Sequence, residues 1–385
     1  MELNDILKVA VNNSASDIHL KVGMPPIFRI NSVLLPLKNG ERLSPEEMSK
    51  LVYSTMNDIQ KVQFKEKNEL DFAYGVAGLG RFRVNVFQQR GTIGAVLRVI
   101  PFQIKPFEEL HLPKVIERLA KEQRGLILVT GTTGSGKSTT LASIIDYINS
   151  HRTAHVMTIE DPVEFLHRDK QSIVNQREVG FDTADFATAL RSALRQDPDV
   201  ILVGEMRDLE TIEIALTAAE TGHLVLSTLH TIDAQETINR ILSAFPPNYQ
   251  QQTRTALAGV IKGIISQRLV VHADGKQRVP AVEVMVSSAR IKECIADPEK
   301  TKQIREAISA GFTSYGMQTF DQSLMQLLKQ KLITYEEALR HATNPADFAL
   351  KIKGVSSSSD LSWDEFDKSG EKKKEKKEGL EIERF

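Results

Sequence analysis

Residues 130–140, T-G-T-T-G-S-G-K-S-T-T, constrain the fold of this chain more than any other stretch. From Gly131 to Ser138 they fit the spacing G-x-x-x-x-G-K-[ST], in which glycines let the backbone curl around one centre. Such a loop has meaning only between a strand and a helix, and both flanks agree. Gly125-Leu126-Ile127-Leu128-Val129 is a short apolar run of the kind that forms a buried parallel strand. Leu141, Ile144, Ile145 and Ile148 follow at helical spacing. The loop's N–H groups and the helix N-terminus can then converge on phosphate oxygens. The expected nucleotide contacts are Thr132, Thr133, Gly134, Ser135, Gly136, Lys137, Ser138 and Thr139. Lys137 supplies a cation for the β- and γ-phosphates, and Ser138 a hydroxyl for Mg²⁺. ATP and Mg²⁺ are the expected cofactors.

The chain around the loop alternates strand and helix. Apolar strands are predicted at residues 126–129, 155–159, 200–203 and 224–227, with helices between them. That pattern is a doubly wound α/β core, in which ligands sit at the carboxyl ends of the strands. A hairpin with Asp274-Gly275 at its tip and residues 282–286 as its second arm follows. Residues 288–350 read as mostly helical.

Residues 1–100 read as a separate α+β domain. It has a short opening helix, an alternating strand at residues 16–22, and a strand resuming at 27–30 after Pro25-Pro26. Ser44 with Glu47 predicts a capping box, and strands are expected at 69–74, 80–88 and 92–100. Pro101, Pro106 and Pro113 mark a linker over 101–113, and the ATPase part runs over 114–353. Residues 354–385 are serine-rich, then mixed in charge, and read as a disordered tail.

Three stretches sharpen the chemistry. Glu160, Asp161 and Glu164 lie within I-E-D-P-V-E at the end of the second core strand, where a carboxylate can polarise an attacking water. Glu164 is the expected general base. Residues 200–205, V-I-L-V-G-E, are an apolar strand ending in an acid, with Gly204 where an Asp is often found. Glu205 is expected to organise Mg²⁺ and water. Asp208 caps the next helix, which Gly222 ends. His223 and His230 bracket the strand after that; His230 is a candidate sensor of the γ-phosphate and His223 a candidate nucleotide contact.

Composition narrows the class. The 385 residues are 41% hydrophobic and 26% charged, with a formal net charge of -1, so no global attraction to nucleic acid or anionic membrane is implied. The single cysteine, Cys294, excludes a disulfide framework and a paired-cysteine zinc site within the chain. No signal-peptide pattern opens the sequence and no apolar run approaches a membrane span. A cytoplasmic protein that meets a membrane only through partners is expected.

Taken in order, the glycine loop, the I-E-D-P-V-E acidic box, the V-G-E strand end and the two-histidine box resemble the secretion ATPase superfamily, the hexameric motors of type II secretion and type IV pili. The opening S-A-S-D-I-H-L-K-V-G-M-P-P-I-F-R-I and the later G-M-Q-T-F-D-Q at 316–322 resemble its PilT/PilU-type retraction branch. The resemblance covers roughly residues 1–350. It implies a RecA-like P-loop ATPase core, a small PAS-like N-terminal α+β domain and C-terminal helices. It also implies a homo-hexamer at the cytoplasmic face of the inner membrane, driving pilin disassembly and twitching motility through an inner-membrane pilus platform protein. The export and extension branch usually carries a tetracysteine zinc motif and an extra N-terminal region. Their expected absence here points to retraction. The branch also has a C-terminal motif resembling A-I-R-x-L-I-R-E, whose nearest counterpart is A-R-I-K-E-C at 289–294. Principal motor and accessory paralogue therefore both stay open, a paralogous retraction ATPase being a possible partner.

A ring motor needs a cation that arrives as subunits close. By resemblance, Arg83 and Arg98 in the N-terminal strands match the arginines the family turns toward nucleotide. Three alternatives remain. An assembly or secretion ATPase belongs to the same class. A nucleic-acid motor would need stimulation by single strands, and no basic-aromatic stripe is evident. A nucleotide-dependent binding switch would show slow turnover with tight ADP retention.

Overall fold

The computed structural model describes residues 2–30, 33–100 and 103–353. The tail at 354–385, Trp363 and Phe366 included, and residues 101–102 of the expected linker lie outside them. The chain divides into two compact units. One is Met1–Ile104 with Glu164–His167; the other is Lys105–Val163 with the chain from Arg168 onward.

In the first unit the described strands are β1 (Asp17–Lys21), β2 (Ile27–Ile30), β3 (Val33–Pro36), β4 (Glu69–Val76), β5 (Gly80–Gln89) and β6 (Thr92–Ile100). They form one antiparallel sheet in the order β3-β2-β1-β6-β5-β4. Alternation decides its inner face. Ile18, Leu20, Phe82, Val84 and Leu97 are buried against Ile6 and Leu7 of the helix Leu3–Asn12 and Met48 and Leu51 of the helix Pro45–Tyr53. The capping box forms: Ser44 N–H donates to Glu47 Oε2 at 2.8 Å and Glu47 N–H donates to Ser44 Oγ at 3.1 Å. Two elements lack the pattern that would have announced them. The helix Asp58–Lys67 buries only Phe64, and all of β3 is exposed.

In the second unit the strands are β7 (Gly125–Thr130), β8 (His155–Glu160), β9 (Ile173–Glu178), β10 (Val200–Val203), β11 (Leu224–Leu229), β12 (Ile261–Val271) and β13 (Arg278–Val286). Their order is β13-β12-β7-β11-β10-β8-β9. All neighbours are parallel except β12 and β13. Every residue of β7, β10 and β11 is buried. Burying one large aliphatic side chain is worth about 1.5–3 kcal/mol, so Leu126, Ile127, Leu128 and Val129 hold the loop strand inside the sheet, between β12 and β11. The four apolar strands read from the sequence are β7, β8, β10 and β11. β9 was hidden by its polar edge composition, Asn175-Gln176-Arg177-Glu178. The hairpin forms with Gly275 at φ 70°, but it is more than an appendage. β12 also pairs with β7, Ser266 opposite Thr130. The C-terminal helices bury Phe320, Leu324 and Phe348 with Val270 and Val279 of the hairpin. Among the described residues, no helix is long and apolar enough to cross a membrane.

Glu283 lies opposite Ser266 in the β12–β13 pair and is 5% exposed. Its Oε1 accepts from Ala234 N–H at 2.9 Å. Burial pushes its pKa up to about 7, against the lowering effect of that hydrogen bond; Asp233 adds to the rise, and Arg305 and Arg268 oppose it. A folded pKa above the unfolded value of about 4.5 means the native state binds more protons between the two. Stability is therefore fully present below about pH 4.5 and declines as pH rises to about 7. Glu283→Gln should abolish this loss, a difference on the order of 3 kcal/mol across the window. Parallel curves of Tm against pH for the two proteins would refute it.

Candidate nucleotide-binding site

The glycine loop leaves the carboxyl end of β7 and turns directly into the helix Lys137–His151. Gly131 has φ 142°. A Cβ there would lie 2.5 Å from both the Gln267 carbonyl and Ser135 Oγ. Only glycine fits this turn, because β12 runs so close beside it. The loop closes on Lys137, which is 9% exposed. Its Nζ donates to the carbonyls of Gly131 at 2.8 Å and Thr132 at 3.1 Å. A buried ammonium requires such acceptors, and a phosphate oxygen is a natural addition to them. Gly136 gives the helix no side-chain cap, so no side chain competes with an anion for its first N–H groups. Ser138 and Thr139 are half-buried in the first turn, while Thr132, Thr133 and Gly134 form an exposed rim. A cavity of about 360 Å³ runs beside the loop, with Gln267, Arg268 and Arg278 of the hairpin and His341 on its wall. The Ser135 hydroxyl and Gln267 Oε1, both buried, have no hydrogen-bond partner among the described residues.

Parallel register sets the rest of the carboxyl edge. Leu229 is opposite Thr130, Val203 opposite Ser227 and Ile159 opposite Val203. His230 and Glu205 therefore emerge on the same edge as the loop. Gly204 N–H donates to the Ile159 carbonyl at 2.7 Å. A Cβ on Gly204 would stand 3.2 Å from that oxygen, so a larger residue there would need β8 to give by a few tenths of an ångström. Glu205, its side chain 19% exposed, pairs through Oε2 with Arg207 at 2.8 Å and through Oε1 with His230 Nε2 at 3.4 Å. Burial acts to raise the Glu205 pKa, but the Arg207 hydrogen bond and the His230 charge outweigh it and hold the carboxyl below its ordinary value. Asp208 caps the following helix, Leu209–Glu220, by accepting from Thr211 N–H.

The other expected residues are scattered. Glu160 accepts from Thr158 Oγ1 at 2.7 Å and Gln176 Nε2 at 3.2 Å. Glu164 begins Glu164–His167, the segment that groups with the first unit. Arg83 and Arg98 lie in that unit too, directly opposite each other on β5 and β6. His223, the expected nucleotide contact, lies apart from the glycine loop of its own chain. It precedes β11, its N–H donates to the Ala218 carbonyl, and its own carbonyl accepts from Gly125 N–H. It thus sits at the amino edge, a strand length of roughly 17 Å from the loop. Sequence reasoning missed Arg207, two residues beyond Glu205 and legible as a neighbouring cation. It also missed Gln267, Arg268, Arg278 and His341, which only the hairpin's place beside β7 brings to the loop.

Among the described residues no three His, Cys, Asp or Glu gather into a metal group. The hard oxygens of Ser138 and Glu205 fit Mg²⁺, which usually takes one or two protein oxygens and completes its shell with phosphate and water.

A glycine loop at the carboxyl edge of a largely parallel sheet, with an acid and a histidine on nearby strands, defines a P-loop ATPase with a RecA-like core. The chain belongs to the type II/IV secretion system protein family, whose model matches residues 1–344. It is 46% identical over 348 residues to the type IV pilus retraction ATPase PilT of Pseudomonas aeruginosa, covering 90% of this chain and 100% of that protein. It is 42% identical over 353 residues to the type IV pilus ATPase PilU of the same organism, covering 92% of each. A crystal structure of the pilus retraction motor PilT with bound ADP superposes with a TM-score of 0.82 at 49% identity, covering 90% of this chain and 98% of that one.

Lys137→Ala removes a charge-assisted contact worth on the order of 1.5–3 kcal/mol. Nucleotide affinity, read with a fluorescent ADP analogue, should fall roughly 10- to 100-fold with it. Unchanged affinity would show that the loop does not hold phosphate.

Proposed function

We propose that this chain is an ATP-hydrolysing motor that drives type IV pilus retraction, the disassembly of pilin that produces twitching motility. The observation that carries the proposal is the similarity to PilT, over 90% of this chain and 100% of that protein. The protein works as a homo-hexamer in the cytoplasm, bound to the membrane only through an inner-membrane pilus platform protein. The likeness to PilU supports a second, paralogous retraction ATPase as a partner.

ATP takes the place prepared by residues 132–139. Lys137 offsets charge at the β- and γ-phosphates, and Ser138 and Glu205 would hold Mg²⁺, which would supply charge neutralisation at the phosphates. Glu164 accepts the proton of the attacking water, and Glu205, ionised and steadied by Arg207 and His230, orders that water. Arg83 and Arg98 bring positive charge to the transferring phosphoryl group. Because their contribution exists only in the closed geometry, hydrolysis is tied to motion of the N-terminal domain.

Glu164→Gln keeps the size of the side chain and removes the base, so the variant should bind ATP and turn over at least about 100-fold more slowly. Near-normal kcat would move the base to Glu160, Asp161 or Glu205. The motor itself is tested in cells. Deleting the gene should leave excess pili that do not retract, with twitching lost; cells without pili would identify an assembly ATPase instead.

A further inference from the structure

The first unit holds an arrangement of charge that its fold does not require. Register pairing places Arg29 opposite Asp17, Asp17 opposite Arg98, and Arg98 opposite Arg83. These four side chains form one row across β2, β1, β6 and β5. The neighbouring row, Phe28, Ile18, Leu97 and Val84, is the buried one. The charged row therefore occupies the opposite face of the sheet. Two arginines directly opposite on adjacent strands repel, so an acid beside them has work to do.

Asp17 is 8% exposed, while the Arg98 side chain is 69% exposed. Asp17 Oδ1 accepts from Arg98 Nε at 3.0 Å. Oδ2 accepts from Ser16 Oγ at 2.8 Å and faces Arg29 Nε at 3.8 Å. The contact is made at Nε, on the side of the planar guanidinium, so the end-on edge formed by its two terminal amino groups is not the one that meets Asp17. A guanidinium is planar and fork-shaped, so fixing Nε fixes the direction of the fork. Burial acts to raise the Asp17 pKa; the Ser16 hydroxyl and Arg98 outweigh it, so the carboxylate stays charged at neutral pH.

We propose that Asp17 is the positioning residue of the nucleotide-facing arginines, gripping Arg98 at Nε and presenting its fork beside Arg83. The proposal rests on the reading that Arg83 and Arg98 meet the transferring phosphoryl group. Asp17 itself touches no substrate. It acts through Arg98, by orienting the fork and by cancelling part of the repulsion that would swing Arg98 away from Arg83. Its effect belongs to the closed geometry, so it appears in kcat rather than in the ATP concentration needed for half-maximal rate.

The experiment measures MgATP hydrolysis by the full-length oligomer for wild type, Asp17→Asn, Asp17→Glu, Arg98→Ala, Arg83→Ala and the double variant Asp17→Asn/Arg98→Ala, with a thermal melt of each. Asp17→Asn should lower kcat on the order of tenfold, with KM within about twofold. Asp17→Glu, which keeps the charge, should recover part of the loss. The double variant should be no slower than Arg98→Ala, because two changes in one pathway do not add. Wild-type kcat in Asp17→Asn overturns the proposal. Losses that multiply in the double variant, alongside a lowered Tm, overturn it in favour of a purely structural acid. If Asp17→Asn does not fold, Ser16→Ala, which loosens the same carboxylate, replaces it in every comparison. Wild-type turnover in both Arg83→Ala and Arg98→Ala would instead sink the arginine reading, and the proposal with it. A slow arginine variant beside a normal Asp17→Asn would sink the proposal alone.

Discussion

A buried ammonium held by two backbone carbonyls is the constraint around which the core is arranged. Lys137 cannot be enclosed without acceptors, and the carbonyls of Gly131 and Thr132 supply them. To bring those carbonyls back over the helix start, the chain must turn at Gly131 through a backbone conformation that L side chains rarely adopt. The same turn lies against the Gln267 carbonyl of β12. Loop, helix start and hairpin are thus one packing problem with one solution.

The sheet carries that local arrangement into a site. Parallel pairing with β11 between β7 and β10 delivers His230 and Glu205 to the edge where the loop emerges. Hydroxyls tie the strand ends together: Thr228 Oγ1 donates to the Gly204 carbonyl at 2.6 Å and Ser227 Oγ to the Val203 carbonyl at 2.7 Å. Glu205 consequently has little freedom of its own. Its carboxyl is held below its ordinary value by Arg207 and His230 on either side, against the effect of burial.

Charge is handled differently in the two units. In the core, acid and base sit at strand ends, where a parallel sheet gathers them. In the first unit the charged row lies across the middle of an antiparallel sheet, where register decides which side chains face one another. A one-residue slip of β6 would send Arg98 to the buried face and Leu97 to solvent. The buried row of Ile18, Leu97 and Val84 therefore fixes the charged row beside it. Hydrophobic packing on one face specifies electrostatics on the other.

Much of the fold was legible because its elements carry their own patterns. The apolar runs of β7, β10 and β11 need no partner to be recognised, and the Ser44–Glu47 and Asp208 caps are satisfied within a few residues. β9, β3 and the helix Asp58–Lys67 were not legible, because little of their surface is buried. The glycine loop and the acid ending β10 could be read as chemistry, since their spacing is local. The sequence could not tell that β12 would lie beside β7, bringing Gln267, Arg268 and Arg278 to the loop from more than a hundred residues away. Nor could it tell that His223, adjacent to a promising strand, would stand at its far end from the loop, or that Asp17 would lie between Arg29 and Arg98. Contacts within a turn or a cap are decided by neighbours in the chain. Contacts between strands are decided by which apolar faces close on each other, and only the tertiary structure makes that choice.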